Sequence, residues 1–229
     1  VQEEDSRATG YTTLAAGPDF RHEIEIKRSR FITVLRRAGT EELARDLATG
    51  LRREFHDARH HCSAFIIGAD RNIQRSNDDG EPSGTAGLPM LEALAKRETL
   101  PGVADLSDVS AVVVRYFGGV LLGAGGLVRA YSESVSSALS LVPMVRRSRL
   151  RIGAAEVPHA AAGRLENDLR SAGFVMAGTS YAAGHTVLRV AVPDEPAAIA
   201  AAAGRVQLLT AGSAALTMEG TEWVDVPLA

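Results

Sequence analysis

Three segments of this chain carry residue types whose spacing could support chemistry. The first, Asp78-Asp-Gly-Glu-Pro-Ser-Gly-Thr-Ala-Gly87, sets three carboxylates (Asp78, Asp79 and Glu81) beside a Gly/Ser/Thr stretch. Gly84 and Thr85 lead into a predicted helix, whose free N–H groups could seat an anion or a phosphate. The acids could instead hold a hard cation, although the alternating ligand spacing of an EF-hand is absent. A purely structural reading makes Asp78 and Asp79 turn residues that cap local N–H groups. The second segment, Arg115-Tyr-Phe-Gly-Gly-Val-Leu-Leu-Gly-Ala-Gly-Gly126, reads as strand, glycine turn and helix. Gly118 and Gly123 have the spacing of a phosphate loop, but Ala124-Gly125 stands where Lys-Ser/Thr is needed to reach the outer phosphates. Gly123-Ala-Gly125 begins a dinucleotide fingerprint whose third glycine position holds Val128, so neither signature is met. What remains is a turn in which Gly118 and Gly119 let backbone approach closely, either to a neighbouring loop or to a phosphate chain. Arg115 and Arg129 flank it as candidate phosphate clamps. The third segment is His60-His-Cys62. On a strand, His60 and Cys62 share a face and His61 points away. A Cys–His nucleophile pair is one reading; an inert, buried thiol is the other. The cluster presents too few ligands for zinc, no Gly-x-Ser-x-Gly elbow supports hydrolase chemistry, and no metal or cofactor is predicted.

The elements that must position these segments follow from apolar periodicity. Residues 22–26 alternate as a half-buried strand, and 31–35 form a second, joined as a hairpin or as one bent strand. Thr40 is a good N-cap before Glu41 and Glu42, and Leu43, Leu47 and Leu51 recur at helical spacing to about residue 55. Residues 61–67 read as a strand, 76–87 as a loop and 88–98 as a helix. The continuous apolar run 109–114 is the mark of an inner strand. A glycine-rich turn, 118–126, precedes a long helix over 127–141 whose apolar face includes Tyr131. Pro143 and the cluster Arg146, Arg147, Arg149 and Arg151 mark the boundary between two domains, 19–143 and 144–229. Residues 1–18 read as a polar, frayed lead. Beyond the boundary the predicted order is β-α-β-β-α-β, the split βαβ or ferredoxin-like arrangement. The fold class is therefore α+β.

Composition sets the broader bounds. Of 229 residues, 45% are hydrophobic and 23% charged, which supports a packed core rather than wholesale disorder. The single cysteine leaves no intrachain disulfide, in keeping with a reducing compartment. No apolar run approaches the length of a membrane span, and the acidic start does not resemble a signal peptide, so the expected location is cytoplasmic. The net charge of −3 hides an uneven distribution, because residues 21–60 hold ten basic and seven acidic side chains. That segment and the cluster at 146–151 could form a basic face for RNA, or simply a solvated arginine-rich surface.

Taken together, His60-His-Cys62, Ser76-Asn-Asp-Asp-Gly-Glu-Pro-Ser-Gly-Thr-Ala-Gly87 with Pro89, Arg115-Tyr-Phe-Gly-Gly119, and Leu122-Gly-Ala-Gly-Gly-Leu-Val-Arg-Ala-Tyr131 resemble the YigZ/IMPACT family over about residues 20–142. The resemblance implies a first domain with the left-handed βαβ fold shared by a small-subunit ribosomal protein and domain IV of elongation factor G. It implies a second, ferredoxin-like domain similar to domain V of that factor. Eukaryotic relatives regulate translation through a different N-terminal domain, which the sequence does not contain. Peptidase activity ascribed to bacterial members finds no nucleophile–base pair or two-metal set here.

The leading expectation is a non-enzymatic or weakly enzymatic factor that binds structured RNA or the ribosome, with modulation of translation as its role. Arg115, Arg129, Arg146, Arg147, Arg149 and Arg151 would contact the RNA backbone, with an anion seat at Thr85. The first rival is metal-assisted hydrolysis by Asp78, Asp79 and Glu81 with His60 or His61. It requires these groups to converge in one cleft. The second rival is a protein-interaction module with a partner in translation control. Oligomeric state is not legible.

Overall fold

The computed structural model describes residues 7–228, which divide into two compact units between Arg146 and Arg147. The first unit contains β1 (Gly10–Leu14), β2 (Phe20–Ile26), β3 (Ser29–Arg37), α1 (Glu41–Glu54), β4 (His60–Ile67), β5 (Ile73–Asn77), α2 (Gly87–Ala95), β6 (Val109–Tyr116) and α3 (Ala124–Leu141). Its central sheet is antiparallel, in the order β2-β3-β6-β4-β5. β6 lies in the middle because its run of valines is apolar on both faces. Ala111 and Val113 pack with Phe31, Cys62 and Tyr131 beneath α2 and α3, whereas Val112 and Val114 meet Leu47 and Leu51 of α1. Each fully buried Val or Leu of this kind contributes about 1.5–3 kcal/mol. α1 starts where expected, with the Thr40 hydroxyl accepting the Leu43 N–H at 3.3 Å.

The two strands over 20–37 form a hairpin. Its turn residues, Lys27 and Arg28, both have positive φ (48° and 66°), as a tight two-residue turn between twisted strands requires.

The second unit holds most of β7 (Met144–Val157), followed by α4 (His159–Ser171), β8 (Val175–Tyr181), β9 (Thr186–Val192), α5 (Pro196–Leu209) and β10 (Leu216–Val226). The element order is β-α-β-β-α-β, and the strands lie in the order β10-β7-β9-β8. Leu165, Leu169, Leu188, Val190 and Val206 fill the layer between its sheet and helices. Pro196 stands in the first turn of α5, where its missing N–H costs nothing. No helix among the described residues is long and apolar enough to cross a membrane.

Three local readings need correction. Residues 10–14, placed within a frayed lead, form a strand whose Tyr11, Thr12, Thr13 and Leu14 are all buried. The signal was hidden because two of those residues are threonines; the Thr13 hydroxyl donates to the Asp108 carbonyl and the Tyr11 hydroxyl to the Asp108 carboxylate. Residues 1–6 of that lead lie outside the described residues. Residues 73–77 form an edge strand running into the predicted loop; its polar sequence leaves no apolar period to read. α3 begins at Ala124, so Gly125 and Gly126 belong to its first turn rather than to the preceding loop.

Candidate functional site: a cleft over the Glu81–Arg115 pair

The acidic loop connects the edge strand β5 to α2, and its three carboxylates go to three different places. Asp78 turns into its own loop and accepts the N–H groups of Gly84 (2.8 Å), Ala86 (3.0 Å) and Gly87 (2.7 Å). It thereby caps α2 and fills the anion seat expected around Gly84 and Thr85. Thr85 is itself turned back, its hydroxyl donating to the Pro82 carbonyl at 2.6 Å. Burial alone would raise the Asp78 pKa, but these three donors hold it below the ordinary carboxylate value. Asp79, at positive φ, reaches outward to Arg52 (2.7 Å) and accepts the His61 N–H at 2.6 Å. Against the desolvation that opposes it, this pairing keeps its carboxyl below the usual range too.

Glu81 points the other way, into the protein. Its Oε1 accepts from Arg115 Nη1 at 2.6 Å and from the Tyr131 hydroxyl at 2.8 Å. Arg115 is thus not an open phosphate clamp. It is held in a buried ion pair, with its guanidinium 5.6 Å from the Phe31 ring centroid and 5.8 Å from that of Phe117. Sheet register explains the placement, since Arg115 of β6 stands between Phe31 of β3 and His60 of β4.

The three residues 60–62 divide as strand alternation predicts. His60 Nδ1 lies 2.9 Å from the Asp79 carbonyl oxygen, which can only accept. The neutral ring therefore carries its proton on Nδ1 and leaves Nε2 as an acceptor, 4.0 Å from Glu81 Oε1. His61, on the opposite face, donates from Nε2 to the Phe55 carbonyl at 3.1 Å. Burial, with Arg52 nearby, lowers its pKa. Cys62 Sγ lies 3.0 Å from the Asp78 carbonyl and 3.3 Å from the Tyr131 hydroxyl. Burial, reinforced by the surrounding carboxylates, pushes the thiol up to about 12, so it is no nucleophile at neutral pH. Tyr131 is raised as well, by burial and by its neighbours Cys62 and Glu81.

Above the Glu81–Arg115 pair opens a cleft of about 720 Å³, walled by His60, Arg59, Tyr116, Phe117, Leu121 and Leu122, with Gly123 and Ala124 at the start of α3. Phe117 is 54% and Leu121 84% exposed. The glycine turn beneath them is built for backbone packing: a Cβ at Gly118 would lie 2.0 Å from the carbonyl of Arg28. The close approach is therefore to a neighbouring turn. Gly119, at φ 84°, then reverses the chain towards α3. α3 has no side-chain cap, so its first N–H groups face the cleft end of the helix unpartnered by a capping residue.

The structure brings together His60, Glu81, Arg115 and Tyr131 with Cys62 behind them, and it turns the carboxylates of Asp78 and Asp79 away from Glu81, although their backbone carbonyls face Cys62 and His60. The convergence that metal-assisted hydrolysis required is therefore not met. Arg129 is exposed on α3. The 146–151 arginines are not a free basic patch: Arg146 pairs with Asp105 (2.7 Å), Arg147 with Asp225 (3.2 Å) and Arg151 with Asp194 (2.8 Å). Arg149 is half-buried and not free either. Each acid partner lies far away in sequence, so the neutralisation was invisible there. Sequence reasoning also missed Phe117, Arg59 and Leu121 as cleft walls. An exposed aromatic just before a Gly-Gly turn was the available signal.

A five-stranded antiparallel sheet layered between helices, joined to a four-stranded βαββαβ unit, defines a two-unit α+β protein. A crystal structure of a hypothetical protein, 35% identical, matches it with a TM-score of 0.57 and covers 93% of this chain and 98% of that one. Residues 27–139, which include every residue of the Glu81–Arg115 cluster, match the Impact N-terminal domain. The chain is 45% identical over 171 residues to the IMPACT family member YvyE of Bacillus subtilis (strain 168), covering 75% of this chain and 74% of that protein. It is also 45% identical over 128 residues to the IMPACT family member YigZ of Escherichia coli (strain K12), covering 55% of this chain and 59% of that protein. The chain belongs to the IMPACT family.

Proposed function

We propose that this protein is a cytoplasmic RNA-binding factor that associates with the ribosome and modulates translation, contacting RNA through the cleft above Glu81 and Arg115. The observation that carries this reading is the set of cations around the cleft that have no ion pair among the described residues. Arg59 lines it; Lys27 and Arg28 form the hairpin tip packed against Gly118; Arg129 is exposed one turn along α3 from Gly125. The exposed Phe117 ring in the cleft wall offers a stacking surface, and the uncapped start of α3 offers N–H donors. Cations to hold a backbone, interleaved with an aromatic for bases, is how single strands are bound with little sequence readout. The arginines at 146–151 play no part in this version, because carboxylates already engage three of them and the fourth is not free.

Co-sedimentation with ribosomes and anisotropy with a short single-stranded RNA, each at low and high salt, test the reading. Binding should fall steeply between about 50 and about 200 mM salt, and replacing Arg28, Arg59 and Arg129 together by alanine should flatten the log–log slope by about 2. Absence of association at low salt, or association indifferent to salt, would count against RNA. Salt-indifferent binding to a ribosomal protein would favour an interaction module acting through a protein partner.

A further inference from the structure

The cleft floor has a hydrogen-bonding pattern that general backbone binding does not use. Glu81 and Arg115 have side chains only 4% and 8% exposed, and they meet through one atom each, Oε1 and Nη1. Glu81 Oε1 also takes the Tyr131 hydroxyl, so both described hydrogen bonds of this carboxylate fall on Oε1, and Oε2 is left as an acceptor in a residue that lines the cleft. Arg115 Nε has no hydrogen-bond partner among the described residues, which leaves the Nε–Nη2 edge of the guanidinium unmatched. Beside them, the Nδ1–H···O=C bond of His60 turns a bare Nε2 lone pair towards Glu81. The floor therefore offers two acceptors, Glu81 Oε2 and His60 Nε2, next to one donor edge on Arg115. Arg115 Nε is buried without a partner, which is costly, so a ligand that matches the Arg115 donor edge and both acceptors at once gains both affinity and selectivity.

Charge narrows the class of ligand. The ionised residues that line the cleft, Asp57, Glu81, Arg59 and Arg115, sum to zero. A neutral floor favours a planar polar group over a bare anion. Phe117, more than half exposed and already in contact with the Arg115 guanidinium, supplies a face for stacking. Among nucleobases, guanine alone carries two donors and one acceptor in a row on its Watson–Crick edge: N2–H, N1–H and O6. Adenine presents one amino donor beside an acceptor, and uracil one donor between acceptors. A nucleotide seated this way would extend its phosphate towards Arg59 and the uncapped first turn of α3.

We propose that this cleft is a guanine-binding site. Glu81 Oε2 and His60 Nε2 accept from N1–H and N2–H, Arg115 donates to O6, and the base stacks on Phe117. The proposal deepens the RNA-binding reading where the guanine belongs to a single strand, but the same site would take a free guanine nucleotide.

The test uses the full chain, GMP and AMP in calorimetric titrations, and labelled pentanucleotides UUGUU, UUAUU and UUUUU in anisotropy. GMP should bind more tightly than AMP by about tenfold or more, and UUGUU more tightly than UUAUU by a similar factor. Glu81→Gln, which keeps the side-chain shape but turns an amide towards the donors, should abolish that preference in a variant whose urea unfolding shows that it still folds. Phe117→Ala removes an exposed ring, so it does not threaten folding, and it should weaken every nucleotide by about fivefold or more. Equal affinity for GMP and AMP, or no binding of either together with pentanucleotides that are not distinguished, overturns the guanine site. Salt-dependent RNA association could survive that outcome, which separates it from failure of the RNA reading. Preference for UUGUU without measurable GMP binding assigns the site to RNA. GMP binding without any RNA association keeps the site and removes the RNA reading.

Discussion

The Arg115 guanidinium donates to Glu81 at 2.6 Å with both side chains more than nine-tenths buried, and the two residues come from a loop and a central strand 34 positions apart. This pair anchors the acidic loop to the sheet and sets the cleft floor. Because it is buried, its halves are not equivalent to surface charges. Removing one leaves the other desolvated without a counter-charge.

Glu81→Ala should therefore destabilise the protein by about 3–5 kcal/mol. Glu23→Ala, which breaks an exposed pair with Arg30, should cost under about 1 kcal/mol. Urea unfolding of the two variants side by side checks this. Similar losses would mean that the Glu81 pair is not buried in solution.

Asp78→Ala should cost about 1–2 kcal/mol, because it releases three N–H groups at the start of α2. Hydrogen exchange should localise the loss to Gly84, Ala86 and Gly87, and a uniform loss of protection would contradict the capping role.

The pH dependence follows from the same contacts. Asp78 and Asp79 have folded pKa values below their unfolded ones, so each contributes stability that is complete above the unfolded value, about 4. That contribution is lost as pH falls through the folded pKa. Melting temperature should therefore drop below about pH 4, and Asp78→Asn should show a shallower drop. An unchanged slope in the variant would remove Asp78 as a source.

Gly118→Ala places a Cβ 2.0 Å from the Arg28 carbonyl, a clash with backbone rather than with a flexible side chain. It should cost about 1–3 kcal/mol. Gly125→Ala, where nothing lies within 4 Å, should be neutral or stabilising, since it adds a better helix former to α3. Thermal melts of both variants distinguish a packing glycine from a merely permissive one.

Cys62 should resist thiol reagents in the folded protein, because its thiol is fully buried and pushed up to about 12. Labelling at pH 8 should proceed only as fast as the protein opens, and should accelerate in denaturant. Rapid labelling of the native chain would show that the strand is accessible.

Much of the architecture was legible before any coordinates. The valine run of β6, the leucine period of α1 with its Thr40 cap and the element order of the second unit follow from local patterning. Local patterning reflects which face each residue must bury. β1 and β5 escaped because threonines and polar edge residues carry no apolar period; their strand character comes from the partners they pair with. The sequence by itself determined the family motifs, the positions of the loop and the glycine turn, and the alternation that separates His60 from His61. Only the tertiary structure decided what those motifs do. It turned Asp78 inward as a helix cap, matched the 146–151 arginines with distant acids, and brought Glu81 to Arg115 and Tyr131 across 34 and 50 residues. The physical reason is that a side chain's charge is a local property, whereas its partner is set by sheet register and chain reversal. Those long-range contacts leave no periodic trace in the chain.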